Sequence, residues 1–276
     1  MERRERGVMS RIKSCFDKVK KEGRAAFIPF ITAGDPSLSR TREVLFALEA
    51  AGADLIELGL PFSDPMADGP TIQAASERAL KNDFGISGVL ELVSEFRQKS
   101  PVPVILFGYY NPVMSYGEER LVSECQEAGA DGFLIVDLPP EEGGKLRELS
   151  LSAGLSVIYL VAPTTPDARL QKIAGRADGF IYYVCVTGVT GARAELSKTI
   201  ARDVGRIKRF SDLPVAVGFG ISTPEQAKEV AGAADAVVVG SAIVSLIGKL
   251  GDSDEMAEKV REFARSLRRG IDSAKK

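Results

Sequence analysis

One phrase recurs four times along the chain and constrains its architecture more than any other feature. It reads AGADLIELG at 51–59, AGADGFLIVD at 128–137, GRADGFIYY at 175–183 and GAADAVVVG at 232–240. Each copy follows a helix-like segment. Gly suits the end of a helix, Asp a tight turn, and the apolar run a buried strand. Four further apolar runs lie among the copies: AAFIPFIT (25–32), VPVILFGY (102–109), LSVIYLV (155–161) and LPVAVGF (213–219). These eight strand candidates show little polar alternation, the pattern of parallel strands covered on both faces.

Helical patterns separate the runs. SRTREVLFALEAAG (39–52) spaces Val44, Leu45, Leu48 and Ala51 along one face, and SGVLELVSEFRQKS (87–100) opens on Ser87, a candidate cap. PEEGGKLRELSLSAG (140–154), TPDARLQKIAGR (165–176), TPEQAKEVAGAA (223–234) and SDEMAEKVREFARSLRRG (253–270) continue the series. Several open on Thr or Ser, then Pro, then acids. That order supplies a capping oxygen, a residue that needs no N–H, and negative charge at the positive end of the helix dipole.

Eight β–α alternations in 276 residues point to an α/β (β/α)8 barrel, one domain over 1–276. A doubly wound sheet is the alternative, but eight parallel strands would make it large, and no G-x-G-x-x-G follows the first strand. Residues 1–22 read as an extra N-terminal amphipathic helix. Val8, Ile12, Cys15, Phe16 and Val19 share a face that could cover the bottom of the barrel.

The chain has no histidine. That removes the usual near-neutral acid–base group, the commonest metal ligand and any Ser-His-Asp triad. Proton transfer must then fall to carboxylates, Lys, Tyr or Cys. Cys15, Cys125 and Cys185 are odd in number and widely spaced, which fits small reduced hydrophobes better than a disulfide framework or a metal cluster. Net charge is −2, and the basic runs RRER (3–6) and RSLRRG (265–270) fit solvated faces better than a nucleic-acid surface. No apolar run approaches the ~18 residues of a membrane span. The start, MERRERGVMSRIKSCF, lacks an apolar signal core, so a cytoplasmic protein is expected.

The segment IELGLPFSDPMADG (56–69) carries three acids on a strand and the loop after it. By strand alternation Leu55, Glu57 and Gly59 share one face, and Ile56 and Leu58 the other. With Ile56 and Leu58 against helices, Glu57 points into the barrel at its C-terminal mouth, where active sites of this fold lie. Burial would raise its pKa and suit it to proton shuttling, while a structural carboxylate paired with Arg or a backbone N–H is the alternative. In the loop, Asp64 carries an Asx-turn signal in SDPM. Asp68 precedes GPTIQAAS, so it could serve the site or simply the start of a helix.

Three later loops have the character of a phosphate site. CVTGVTGAR (185–193), VGFGIST (217–223) and VVVGSAIV (237–244) follow strands six, seven and eight, with a helix expected from Ser241. Glycines let backbone approach an anion, helix starts offer free N–H groups, and loops seven and eight of such barrels commonly hold phosphate. No Lys stands at the C-terminal end of a strand candidate, which argues against a Schiff-base aldolase. The site expected is phosphate-anchored, metal-free and carboxylate-driven.

At this point the sequence resembles the tryptophan synthase alpha subunit family. IELGLPFSDPMADGPTIQ is close to the family's specific signature. FIPFITAGDP (27–36), YYNPV (109–113), VDLPPEE (136–142), VTGVTGAR (186–193), GFGISTPEQ (218–226) and VVGSAIV (238–244) are similar to family motifs in family order. The resemblance implies a lyase that cleaves indole-3-glycerol phosphate to indole and glyceraldehyde 3-phosphate by a retro-aldol route. It implies no cofactor in this chain. Indole would pass through a tunnel to a β subunit bearing pyridoxal phosphate, in an α2β2 heterotetramer.

By the same resemblance Glu57 and Asp68 match the catalytic carboxylates. Phe30 and Phe107 match pocket-lining positions, and Tyr182 a site tyrosine. Thr190 matches a loop threonine. Gly191, Phe219, Gly220, Gly240 and Ser241 match the phosphate loops. Asp64 and the LPPEE segment near Pro139 would face the β subunit. Some members carry an arginine where this chain reads CVT, so no loop arginine is assigned. Tyr110 sits beside the lining position, with an open effect on the pocket. Two alternatives stand beside this reading: another phosphate-sugar isomerase or epimerase on the same barrel, and a non-catalytic activator of a β subunit.

Overall fold

The computed structural model describes residues 10–185, 193–218 and 220–274, with only the backbone course of 193–197. Eight parallel strands close into a barrel, each paired with the next and the last with the first. They are β1 (Ala26–Thr32), β2 (Ile56–Gly59), β3 (Val104–Gly108), β4 (Gly132–Ile135), β5 (Ser156–Val161), β6 (Ile181–Val184), β7 (Val215–Gly218) and β8 (Ala236–Val239). Closure settles the choice against a doubly wound sheet.

The helices are α1 (Arg11–Lys21), α2 (Leu38–Ala50), α3 (Pro70–Ala79), α4 (Ile86–Arg97), α5 (Tyr110–Tyr116), α6 (Glu118–Ala128), α7 (Gly144–Ser152), α8 (Asp167–Ala174), α9 (Arg193–Lys208), α10 (Pro224–Ala231), α11 (Ser241–Leu250) and α12 (Met256–Asp272). Two local expectations are corrected. Gly85, not Ser87, is the N-cap of α4, and Ser87 lies inside the helix. The segment from Pro140 begins with a turn, closed by Pro139 O accepting from the Glu142 and Gly143 N–H groups at 3.0 Å, so α7 starts only at Gly144.

The fourfold phrase acquires a physical role. Its Asp residues stand ahead of β2, β4, β6 and β8, and each braces the strand before. Asp54 accepts the Phe27 N–H at 2.8 Å, Asp131 the Val104 N–H at 2.8 Å, and Asp235 the Val215 N–H at 2.9 Å. Asp178 accepts instead from the Ser156 hydroxyl at 3.0 Å. Basic groups offset the cost of burying charge at three of these braces. They are Arg24 and Arg268 on Asp54, Arg11 and Arg97 on Asp131, and Lys208 on Asp235.

Two apolar shells result. Leu55, Ile105, Leu134, Ile158 and Val238 fill the barrel interior, and Ile12, Phe16 and Val19 of α1 close it from below. Phe16 meets Phe180 with ring centroids 5.7 Å apart. The expected plug is therefore in place, with Val8 outside the described residues. Ile56 and Leu58 pack outward in the strand–helix shell, as alternation required. Among the described residues no helix is long and apolar enough to cross a membrane.

Candidate active site

Glu57 projects from β2 into the upper barrel and is 0% exposed. Neither of its oxygens has a hydrogen-bond partner among the described residues. Among the described residues, then, the paired, structural alternative for this carboxyl finds no partner. Burial pushes its pKa up to about 8, because the charged form is stripped of water with nothing to replace it. At neutral pH the group is mostly protonated and within reach of both protonation states.

Aromatic rings wall the space above it. Phe30 is the cross-strand partner of Glu57. Its ring lies where a side chain on Gly59 would stand, a β-carbon there falling 2.7 Å from Phe30 Cζ. Phe107 meets Phe30 edge-on at 5.1 Å. Tyr182 comes from β6, and Gly218 on β7 makes room for its hydroxyl, which lies 2.3 Å from where a β-carbon would sit. Burial, and then the neighbouring Glu57, hold that phenol well above its ordinary pKa.

Asp68 reaches the site from the loop between β2 and α3. The loop is tied down at several points. Asp68 N–H donates to Pro65 O at 3.0 Å, and Gln73 Nε2 donates to Asp68 O at 2.9 Å. Tyr109, just past β3, accepts the Ala67 N–H at 3.0 Å. Burial raises the Asp68 pKa and the nearby Tyr109 hydroxyl works against that rise. The Asx turn expected at Asp64 does not form. Its carboxylate accepts from the Ser63 hydroxyl, and its main-chain oxygen closes the turn by accepting from Met66 N–H at 2.9 Å.

On the opposite side Gly220 adopts φ +66°, a conformation that favours glycine, at the turn after β7. Gly240 is the N-cap of α11, and among the described residues no side-chain cap bond closes that helix end. The first-turn N–H groups from Ser241 onward therefore face the site as free donors.

These groups line one cavity of ≈ 220 Å³: Phe30, Glu57, Asp68, Phe107, Tyr182, Gly220, Gly240 and Ser241 all border it. Asp64 and Pro139 lie on the same barrel face, after β2 and β4, but not on the cavity wall. Thr190, Gly191 and Phe219 lie outside the described residues. Sequence reasoning missed Ile72, Cys185 and Gly218, which also line the cavity, and Tyr109, which holds Asp68. Tyr109 was legible in principle, two residues beyond Phe107 at a strand end. Tyr110, by contrast, turns away and donates its hydroxyl to Glu118 at 3.1 Å.

A carboxyl pushed toward its neutral form by burial and a second carboxyl on the wall of the same aromatic-lined cavity, in a (β/α)8 barrel, are the groups of an acid–base enzyme, with a helix start beside them that could take an anion. Among its described lining residues there is no lysine to form a Schiff base.

The chain belongs to the tryptophan synthase alpha chain family, whose model matches residues 16–272. It is 50% identical over 263 residues to the tryptophan synthase alpha chain of Citrifermentans bemidjiense, covering 95% of this chain and 98% of that one. Among solved structures it is similar to tryptophan synthase subunit alpha from Legionella pneumophila, with 40% identity, a TM-score of 0.89, and coverage of 96% and 99% of the two chains. It also resembles a chain of the tryptophan synthase complex from Pyrococcus furiosus, with 39% identity, a TM-score of 0.80, and coverage of 89% and 98%.

Proposed function

We propose that Glu57 and Asp68 carry out the reaction of this family, with the Gly220, Gly240 and Ser241 loops holding the substrate phosphate. The reaction is the retro-aldol cleavage of indole-3-glycerol phosphate to indole and glyceraldehyde 3-phosphate, a step of tryptophan biosynthesis. The alternative isomerase and pure-activator readings give way to family membership. The chain works with a β subunit in an α2β2 assembly, and pyridoxal phosphate chemistry is assigned to that partner. Residues 1–276 are taken as one catalytic barrel, with Asp64 and Pro139 on the face turned to the partner. Thr190, Gly191 and Phe219 keep their expected roles beside the substrate.

Indole C3 leaves as carbon only after it is protonated, because the indolenine so formed can accept the bonding pair. Neutral Glu57 supplies that proton. Positive charge then grows at the ring nitrogen, where ionised Asp68 accepts the N–H and stabilises it. Glu57, now a carboxylate, removes the proton of the neighbouring glycerol hydroxyl. The carbon–carbon bond breaks, its electron pair returns to the indole ring, and the hydroxyl carbon becomes the aldehyde. Glu57 ends protonated, ready for the next turnover. Gripping the phosphate orients the substrate from a point remote from the breaking bond.

The observation that carries this reading is the unpartnered, fully buried Glu57 carboxyl on the cavity wall. The test is Glu57→Gln and Asp68→Asn in purified, folded protein. Each is expected to lose about 10²–10⁴-fold in turnover. Near-wild-type turnover in either would refute the assignment.

A further inference from the structure

Arg78 lies on α3, outside the cavity, and makes a two-point ion pair with Asp35 in the loop after β1. Its Nε and Nη2 donate to the two Asp35 oxygens at 2.7 and 2.8 Å. Asp35 is 2% exposed. The same loop is held a second time by Asn82, just past α3, whose Nδ2 donates to Gly34 O at 3.1 Å and Pro36 O at 2.7 Å. On its other side the guanidinium fills a notch in α11. A β-carbon on Gly248 would stand 2.8 Å from Arg78 Nη2.

Arg78 thus touches the loop after β1 and α11 while belonging to α3. The same three elements meet again next to the substrate cavity. Phe30 of β1, Ala75 of α3 and Val244 of α11 form a small buried cluster, with Ile72 and Phe107 against it. Ala75 and Arg78 are three residues apart, and Val244 and Gly248 four, so each pair shares one helix face. The polar joint and the apolar cluster are two levels of one seam. The seam's inner end bears on both halves of the site. Gln73 of α3 fastens the Asp68 carbonyl, and α11 begins at Ser241.

We infer that the Asp35–Arg78 pair is a positioning device for the reaction, setting α3, and with it Asp68, against the phosphate-facing start of α11. This rests on the roles proposed above for Asp68 and Ser241. The pair is buried on one side only, Asp35 being 2% and the Arg78 side chain 32% exposed, and the cost of desolvating the carboxylate offsets much of the attraction, so net stability is a poor reason for it. A bidentate guanidinium–carboxylate contact does fix distance and angle between the elements that bear it. Gly248 has the same logic, because alanine would suit a helix better but would displace the guanidinium.

The experiment measures kcat, KM for indole-3-glycerol phosphate and melting temperature in the full α2β2 complex. The variants are Arg78→Met, Arg78→Lys and Gly248→Ala, each also combined with Asp68→Asn. Arg78→Met is expected to lower kcat about 10- to 100-fold, the cost of a misplaced group. Arg78→Lys regains part of that loss. Gly248→Ala lowers kcat without lowering the melting temperature, and it decides the matter if Arg78→Met does not fold. In the Asp68→Asn background, Arg78→Met and Gly248→Ala should each cost less than about twofold more, because they act through Asp68.

Wild-type kcat in folded Arg78→Met, or in Gly248→Ala should Arg78→Met not fold, would overturn the inference. So would losses that multiply in the double variants. If Asp68→Asn alone turned over normally, the underlying assignment would fail instead, and the two failures are told apart by that single control.

Discussion

The Tyr109 hydroxyl accepts the Ala67 N–H at 3.0 Å, one residue before Asp68, and holds the Asp68 pKa down against the rise that burial causes. A rigid strand end thereby grips the loop that carries the second acid. Tyr109→Phe keeps the ring, which packs 5.2 Å from Phe62, and removes the hydroxyl. Because that hydroxyl lowers the Asp68 pKa, its loss raises that pKa further. The expected outcome is a drop of about tenfold in kcat, as the loop loses its anchor at Ala67, with the acid limb of the pH–rate profile moved to higher pH. Steady-state kinetics across pH would check both effects.

Glu57 also leaves a mark on stability. Its pKa is about 8 in the fold against 4.5 when unperturbed. The folded chain therefore holds a proton that the unfolded chain has released between those two values. The stabilising contribution is complete below the unfolded pKa and is lost as pH rises through about 8. Glu57→Gln removes this penalty. It should be more stable than wild type at pH 9, by on the order of 4–5 kcal/mol at most, and little different at pH 4. Urea unfolding at the two pH values tests it, and equal stabilities at pH 9 would count against a neutral buried carboxyl.

Gly218 is required by Tyr182 rather than by its own backbone. An alanine there would put a carbon 2.3 Å from the phenol oxygen. Gly218→Ala should displace the Tyr182 ring, lower kcat/KM by about tenfold or more, and cost about 1–3 kcal/mol of overpacking. Indole release and thermal melts on the same preparation measure the two effects.

At the opposite rim, Asp131 accepts from Val104 N–H, Arg11 and Arg97. Asp131→Ala leaves the Val104 N–H without its acceptor and takes the carboxylate partner from Arg11 and Arg97, which keep their bonds to the Gly129 carbonyl. A loss of about 1–3 kcal/mol is expected, with kcat at 25 °C unchanged in the fraction that remains folded. Denaturant titration beside an activity assay would show whether the brace is structural alone.

The barrel was legible because its instructions are local and repeated: Gly to end a helix, Asp to brace, and an apolar run to cross. Glu57 was legible for a similar reason, since one charge in an apolar strand has only two faces to choose from. Asp68 was not, because its surroundings in the chain read equally well as a helix start, and only the loop's path over the barrel, anchored where Tyr109 accepts the Ala67 N–H, brings it to the cavity. Ser87 misled because a capping residue type lay two positions inside the true helix end. The Asp35–Arg78 joint was beyond local reading altogether, its partners being 43 residues apart.

The role of the buried Glu57 carboxyl is tested most directly by the pH dependence of kcat/KM for indole-3-glycerol phosphate. Free-enzyme pKa values govern that ratio. A bell is expected whose alkaline limb falls with a midpoint near 8, as Glu57 loses the proton it must donate. Its acid limb should lie above the ordinary aspartate value because Asp68 must be ionised. A rate that stays level through pH 8 and beyond would contradict the central role given to the buried Glu57 carboxyl.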